Sequence, residues 1–347
     1  MNKLQAVAIS LVIFTVTLHL LFVGRNLLIP ITIAIIIWTL IEVTSDVFQR
    51  IPKIGPHLPK SVTIFASLAL CLWLVWLCVG IIAQNVSELI DVAPAYQEKF
   101  LSIVDELFTY LNIDKPKNPG VKLFENFSII DLLSSVTRTT TDLAANAGLI
   151  FIYILFLLLE QHSFRNKLQK SFEKDESAQK ALKLVNRIQN QIRSYLLLKT
   201  FVCVLTGILS YAVMWSMGLL FAEFWALLFF LLNYIPTLGS MVATIFPCLL
   251  AMVQYAHWEQ VLAVVIPLIA IQMLVGNFLE PRLMGRSFNL SALVILFSLS
   301  IWGAIWGVTG MIICVPFMVI LSIIMSNFPQ TRTYAVWLSQ NGELDSE

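Results

Sequence analysis

Apolar residues in this chain fall into long runs separated by short polar or glycine- and proline-bearing breaks. An α-helix needs about 20 apolar residues to cross a hydrocarbon core. Residues 4–23 and 27–48 meet that length on either side of Gly24-Arg25-Asn26, and residues 61–83, 143–159, 195–217 and 261–278 supply further spans. Two apolar blocks exceed one simple helix. Residues 224–255 are interrupted at Asn233-Tyr234-Ile235-Pro236-Thr237-Leu238-Gly239, and residues 290–328 at Gly303-Ala304-Ile305-Trp306-Gly307-Val308-Thr309-Gly310. Proline removes an intrahelical donor and glycine relaxes the backbone. Each block is therefore expected to form a helix–break–helix hairpin or a broken helix. Polar backbone freed there is tolerated only against protein or a watery cavity. The strand-period alternation of a membrane barrel is missing, which leaves the helical solution.

The segments between the spans complete the organisation. Lys3 followed by an apolar stretch imitates a signal peptide, but the stretch has span length and lacks a small-x-small cleavage site, so it reads as a retained first helix. Residues 1–83 form an N-terminal three-span unit. Residues 84–142 read as extracytoplasmic amphipathic helices, with Leu89, Ala93, Tyr96, Phe100, Val104, Leu107 and Leu111 at helical spacing. Such a stripe suits the outer membrane face or a subunit contact. The fourth span occupies 143–161, a basic cytoplasmic helix 162–194, a C-terminal transport core with broken helices 195–328, and a cytoplasmic tail 329–347. Basic residues cluster in the linker 50–60, in 165–193, and at Arg282 and Arg286. Placing all three inside satisfies the positive-inside rule and puts both termini in the cytoplasm.

Composition sharpens this picture. Hydrophobic residues make up 58% of the 347 and charged residues 12%, against roughly 25% charged in soluble domains. The net charge of +1 gives no field directed at nucleic acid. All five cysteines lie in apolar runs, as small buried hydrophobes and not as a disulfide or thiolate framework. The four histidines, His19, His57, His162 and His257, are scattered. No zinc helix, nucleophile elbow or phosphate-binding glycine loop occurs. The chain is thus expected to be no enzyme, to use no metal or cofactor, and to depend on an ion gradient for any uphill transport.

Broken helices with a few polar residues in apolar surroundings are the pattern of a secondary carrier. Asn233 and Asn277 lie near such breaks, where an amide serves either an interhelical hydrogen bond or contact with solute. Glu280-Pro281-Arg282 ends the 261–278 helix, as a coupling or gating pair or as a charge pair at the headgroups. Glu42 and Asp46 are one turn apart, as a carboxylate pair or a solvated helix end. Glu160 can pair with Arg165, and Lys199 can snorkel to the inner interface. Gly303, Gly307 and Gly310 offer close helix contact or a hinge. Trp38, Trp73, Trp76, Trp258 and Trp302 serve as interfacial anchors or as packing.

These motifs carry a family resemblance. Asn233-Tyr234-Ile235-Pro236-x-x-Gly239 and Gly276-Asn277-Phe278-Leu279-Glu280-Pro281-Arg282-Leu283-Met284-Gly285-Arg286 resemble signatures of the autoinducer-2 exporter family, the PerM-like permeases. Trp302-Gly303…Gly307…Gly310-Met311…Val315-Pro316 is similar to its closing segment, and Leu157-Leu158-Leu159-Glu160 and Tyr195-Leu196-x-x-Lys199-Thr200 occur in the same order. The likeness covers essentially the whole chain and is strongest over 151–324. Where members often end the fourth span on an aspartate–arginine pair, this chain has Glu160-Gln161-His162. The resemblance implies an all-α, polytopic membrane helix bundle with about eight membrane segments, two of them broken or hairpin-like. It implies a bacterial inner-membrane homo-oligomer, a pentamer, exporting autoinducer-2 with protons or sodium as possible coupling ions; some members resemble sodium/proton antiporters. The positions it carries over are Asn233, Pro236, Gly239, Asn277, Glu280, Pro281, Arg282 and Gly285. A non-transporting membrane scaffold is the alternative of another class.

Overall fold

A computed structural model describes residues 3–52, 55–110, 141, 144–161, 163, 167, 176–284 and 289–342. Among these the chain is helical, with no strand. Helices α1 (Lys3–Val23), α2 (Arg25–Gln49) and α3 (Lys60–Tyr110) are followed by α4 (Ala144–Gln161) and α5 (Glu176–Ser216). Then come α6 (Ala222–Leu232), α7 (Leu238–Gln254), α8 (Trp258–Gln272), a π-helix (Met273–Leu279), α9 (Glu280–Met284), α10 (Ala292–Asn327) and α11 (Arg332–Leu338). Six helices are long and apolar enough to cross a membrane, and α6 and α7 are shorter apolar helices. The chain is a polytopic helical bundle.

Two helices outrun the expected spans. The 51 residues of α3 reach about 76 Å at 1.5 Å per residue, against a hydrocarbon core of about 30 Å. Nothing between Ala83 and Leu89 breaks the ladder, so the stripe beginning at Leu89 continues the third span instead of starting a separate helix. In the same way α5 runs unbroken from Glu176 to Ser216, joining the later part of the basic segment to the fifth span. Residues 111–140, most of 162–175 and 343–347 lie outside the described residues, as does Gly285.

Both expected interruptions are present. α6 ends at Leu232, and Asn233–Thr237 form a turn that returns the chain into α7, with Thr237 at φ 58°. Ile235 N–H donates to Leu232 O (2.8 Å) and Gly239 N–H to Ile235 O (3.2 Å). A β-carbon on Gly239 would stand 1.7 Å from the Leu232 carbonyl oxygen, so this reversal excludes every side chain. Within α10 the break falls at Gly307, whose φ 61°, ψ −140° is reserved in practice for glycine. The two halves fold back: the Trp302 and Phe317 rings lie 4.4 Å apart, and a β-carbon at Gly310 would stand 2.0 Å from Trp302 O. Gly303 meets the Met311 side chain across the same hairpin. Trp302 is therefore buried packing, whereas Trp73, Trp76 and Trp258 are exposed.

The described chain divides into two compact units. The first comprises Met1–Leu68, Asn146–Leu198 and Met284–Glu347. In it the Trp306 indole N–H donates to Leu21 O (2.9 Å), satisfying one of the carbonyls left open at the end of α1. Ser45 and Thr63 share a buried hydrogen bond of 2.7 Å between α2 and α3. Arg193 of α5 donates to the Asp46 carboxylate and to Glu42 O on α2, which makes Asp46 an ion-pair partner. Glu160 pairs with Lys167 at 2.6 Å on an exposed surface.

The second unit comprises Ala69–Ala145 and Lys199–Leu283. Its core packs Ile82, Val86 and Leu89 of α3 with Phe224–Phe229 of α6, Phe246 and Leu250 of α7, and Val264 and Leu268 of α8. Trp225 stacks on Phe246 at 6.0 Å and meets Phe224 edge-on at 5.1 Å. Lipid tails are as apolar as these side chains, so close packing and buried hydrogen bonds hold such an interior together. At the surface of this unit the Gln254 amide donates to Gly218 O and accepts from Leu220 N–H, both at 2.8 Å, tying α7 to the α5–α6 turn.

Candidate functional site

The site grows from one face of α5. Residues three and four apart stack along a helix, so Lys199, Cys203, Thr206 and Ser210 form a line. All four are buried: Lys199 is 3% exposed and the others 0%. A line of lysine, thiol and two hydroxyls inside an apolar bundle is costly unless each group finds a partner.

Two elements supply most of those partners. The first is the α6–α7 turn. Asn233, itself buried, donates from Nδ2 to Thr206 Oγ1 at 3.2 Å, while Thr206 donates to Val202 O at 2.9 Å. Next to it, Tyr234 Oη donates to Thr200 Oγ1 at 2.8 Å. The second element is the π-helix and the short α9 behind it. Lys199 Nζ donates to Glu280 Oε1 at 2.5 Å, with side chains 4% and 21% exposed. A charged pair so removed from solvent persists only with close geometry.

The π-helix has a local cause. Pro281 has no N–H to offer the carbonyl four residues back, at Asn277, and its ring would crowd that carbonyl. Widening the turn relieves the clash, and Glu280 N–H accordingly bonds Val275 O, five residues back. Such turns are frequent at functional sites. Here the turn carries Gly276 and Asn277 and delivers Glu280 to Lys199.

Of the residues expected from sequence, Asn233 and Glu280 thus meet the same face of α5. Pro236 and Gly239 shape the turn that carries Asn233. Asn277 is exposed on the π-turn. Arg282 stacks over the Phe278 ring at 3.7 Å, and the partner of Glu280 is Lys199. Gly303, Gly307 and Gly310 belong to the α10 hairpin of the first unit. Lys199 corrects an expectation: it does not reach outward but is buried against a carboxylate, because Glu280 offers it a stronger partner than headgroup water. Thr200, Thr206 and Tyr234 were missed as site residues. The signal available was a lysine followed by polar residues at i+1, i+7 and i+11 within an apolar run. Among the described residues no group of His, Cys, Asp and Glu is arranged to hold a metal.

Such an arrangement sets polar groups able to bind a polar solute inside an apolar bundle. It presents a neutralised charge pair, amide and hydroxyl groups, and a backbone turn that reverses the chain between two helices. A family model described as AI-2E family transporter matches residues 9–330. A protein of Borreliella burgdorferi, provisionally named a transport protein, is 33% identical over 73% of this chain and 70% of its own. The AI-2 transport protein TqsA of Escherichia coli is 28% identical over 82% of both chains. The similarly provisional transport protein YrrI of Bacillus subtilis is 23% identical over 89% of this chain and 88% of its own. With that match across nearly its whole length, on a bundle of apolar helices, the chain belongs to the AI-2E transporter family of multi-pass membrane transport proteins.

Proposed function

We propose that this protein exports autoinducer-2, or a similar small polar solute, across the bacterial inner membrane. The carrying observation is the buried Lys199–Glu280 pair, which joins the middle of α5 to the residue following the π-turn, two helical turns along the same face of α5 from the Asn233–Thr206 bond. The Glu280 charge holds Lys199, so loss of that charge would remove this tie between α5 and the residue following the π-turn. That supports an ion-driven cycle, with Cys203, Tyr234 and Arg282 as the nearby titratable or charged groups. The name of TqsA supports autoinducer-2 as the cargo.

The same reading takes the basic segments as cytoplasmic, with both termini inside, and the working form as a homo-oligomer, a pentamer. In this reading Asn233, Pro236, Gly239, Asn277, Glu280, Pro281, Arg282 and Gly285 line or gate the route. Gly303, Gly307 and Gly310 shape the second hairpin.

Purified protein in proteoliposomes tests it. The expected result is movement of labelled autoinducer-2 that responds to a proton or sodium gradient, with that response lost in Glu280→Gln. Sodium-dependent proton flux without autoinducer-2 movement would replace this reading with cation/proton antiport. A protein that moves neither is a scaffold.

A further inference from the structure

We infer that Gln272 is a solute-contacting residue of the second unit; this rests on the transport reading above. The buried side of α8 is a stripe of Val261, Val264 and Leu268, resumed by Val275 on the π-turn. Position 272 falls in that stripe, between Leu268 and Val275, where the spacing calls for another aliphatic side chain. An amide stands there instead. Both its Nε2 and its Oε1 are buried, and neither has a protein partner among the described residues.

An amide buried without hydrogen bonds is destabilising, and native interiors rarely keep one without a use. The helix is open one turn further along. A β-carbon placed on Gly276 would find only Gln272 Oε1 within 4 Å, at 3.9 Å. Glu280 follows one turn later, at the start of α9, and its charge is neutralised by Lys199. The free capacity beside Gly276 is therefore a neutral amide, which both donates and accepts. It suits a solute bearing hydroxyl or carbonyl groups better than a bare cation.

Ser210 repeats the pattern on α5. Thr206, Thr39, Thr32, Ser67 and Thr244 each donate to the carbonyl four residues back, as hydroxyls in apolar helices commonly do. Ser210, fully buried, does not, and its Oγ has no partner among the described residues. The polar line of α5 thus ends on an unused hydroxyl in the same unit as the unused amide of α8.

The test reconstitutes full-length wild type, Gln272→Leu, Gln272→Met and Ser210→Ala, and measures uptake of labelled autoinducer-2 against concentration together with thermal unfolding. Losing one neutral hydrogen bond to solute is expected to raise KM roughly tenfold in both Gln272 variants. Unfolding temperatures should stay level or rise, since an unsatisfied buried group has been removed. The Met variant preserves side-chain length should leucine pack poorly. Wild-type KM in Gln272→Met would overturn the inference while leaving the transport reading intact, and a lowered unfolding temperature with unchanged KM would mark the amide as structural. Wild-type vesicles that move no autoinducer-2 would remove the transport reading and this inference with it.

Discussion

Lys199 and Glu280, 81 residues apart in sequence, meet at 2.5 Å and bind the middle of α5 to the residue following the π-turn. The contact explains two oddities at once. A lysine sits inside an apolar run because a carboxylate awaits it, and the helix after α8 widens because Pro281 stands beside that carboxylate.

Breaking a buried pair from one side leaves an uncompensated charge, a loss of about 3–5 kcal/mol, whereas replacing both partners is often close to neutral. Lys199→Met and Glu280→Gln should each lower the unfolding temperature in detergent, and the double variant should recover most of the loss. Additive losses in the double variant would show that the pair is not the source.

The Arg193–Asp46 pair is a control of opposite character, with side chains 35% and 34% exposed. Solvent and salt screen it, so Arg193→Met should cost no more than about 1 kcal/mol, and the cost should shrink as salt is raised. Denaturation at low and high ionic strength should therefore separate the two pairs, with only Lys199–Glu280 insensitive to salt.

Four glycines predict a graded series of alanine variants. Gly239→Ala and Gly310→Ala drive a methyl group into backbone at 1.7 and 2.0 Å and should abolish folded protein. Gly303→Ala meets the flexible end of Met311 at 2.8 Å and should be partly tolerated. Gly276→Ala meets nothing closer than 3.9 Å and should fold normally. Monodisperse yield in detergent gives the ranking; a well-behaved Gly239→Ala would refute the described turn.

Asn233 and Thr206 should be coupled weakly but measurably. Polar pairs in membrane bundles average about 0.6 kcal/mol in double-mutant cycles, with a ceiling near 1.7 kcal/mol. Asn233→Leu and Thr206→Val, alone and together, should give a coupling in that range. A value indistinguishable from zero would mean that Asn233 is held by something other than the Thr206 hydroxyl.

Trp306 tests the second hairpin. Its indole is bonded to Leu21 O at 2.9 Å, a link worth about 1 kcal/mol. Trp306→Phe should lose roughly that amount, read from the shift in unfolding temperature, with no change in the α6–α7 turn.

Much of this protein was determined by sequence alone. Apolar runs of span length leave the backbone no solution in lipid but helices, so the fold class followed directly. The two interruptions were legible as well, because Pro236 with Gly239, and Gly307 with Gly310, cannot continue a regular ladder. Tertiary structure decided what local pattern cannot carry. Whether the stripe from Leu89 continues α3 or begins a new helix depends on what packs beside it, since both give the same spacing. The partner of Glu280 is equally nonlocal: Arg282 stands two residues away in sequence, yet two residues along a helix point apart, whereas Lys199 arrives from another helix at bonding distance. Proximity along the chain suggested the wrong cation. Only the packing of α5 against the π-turn could supply the right one.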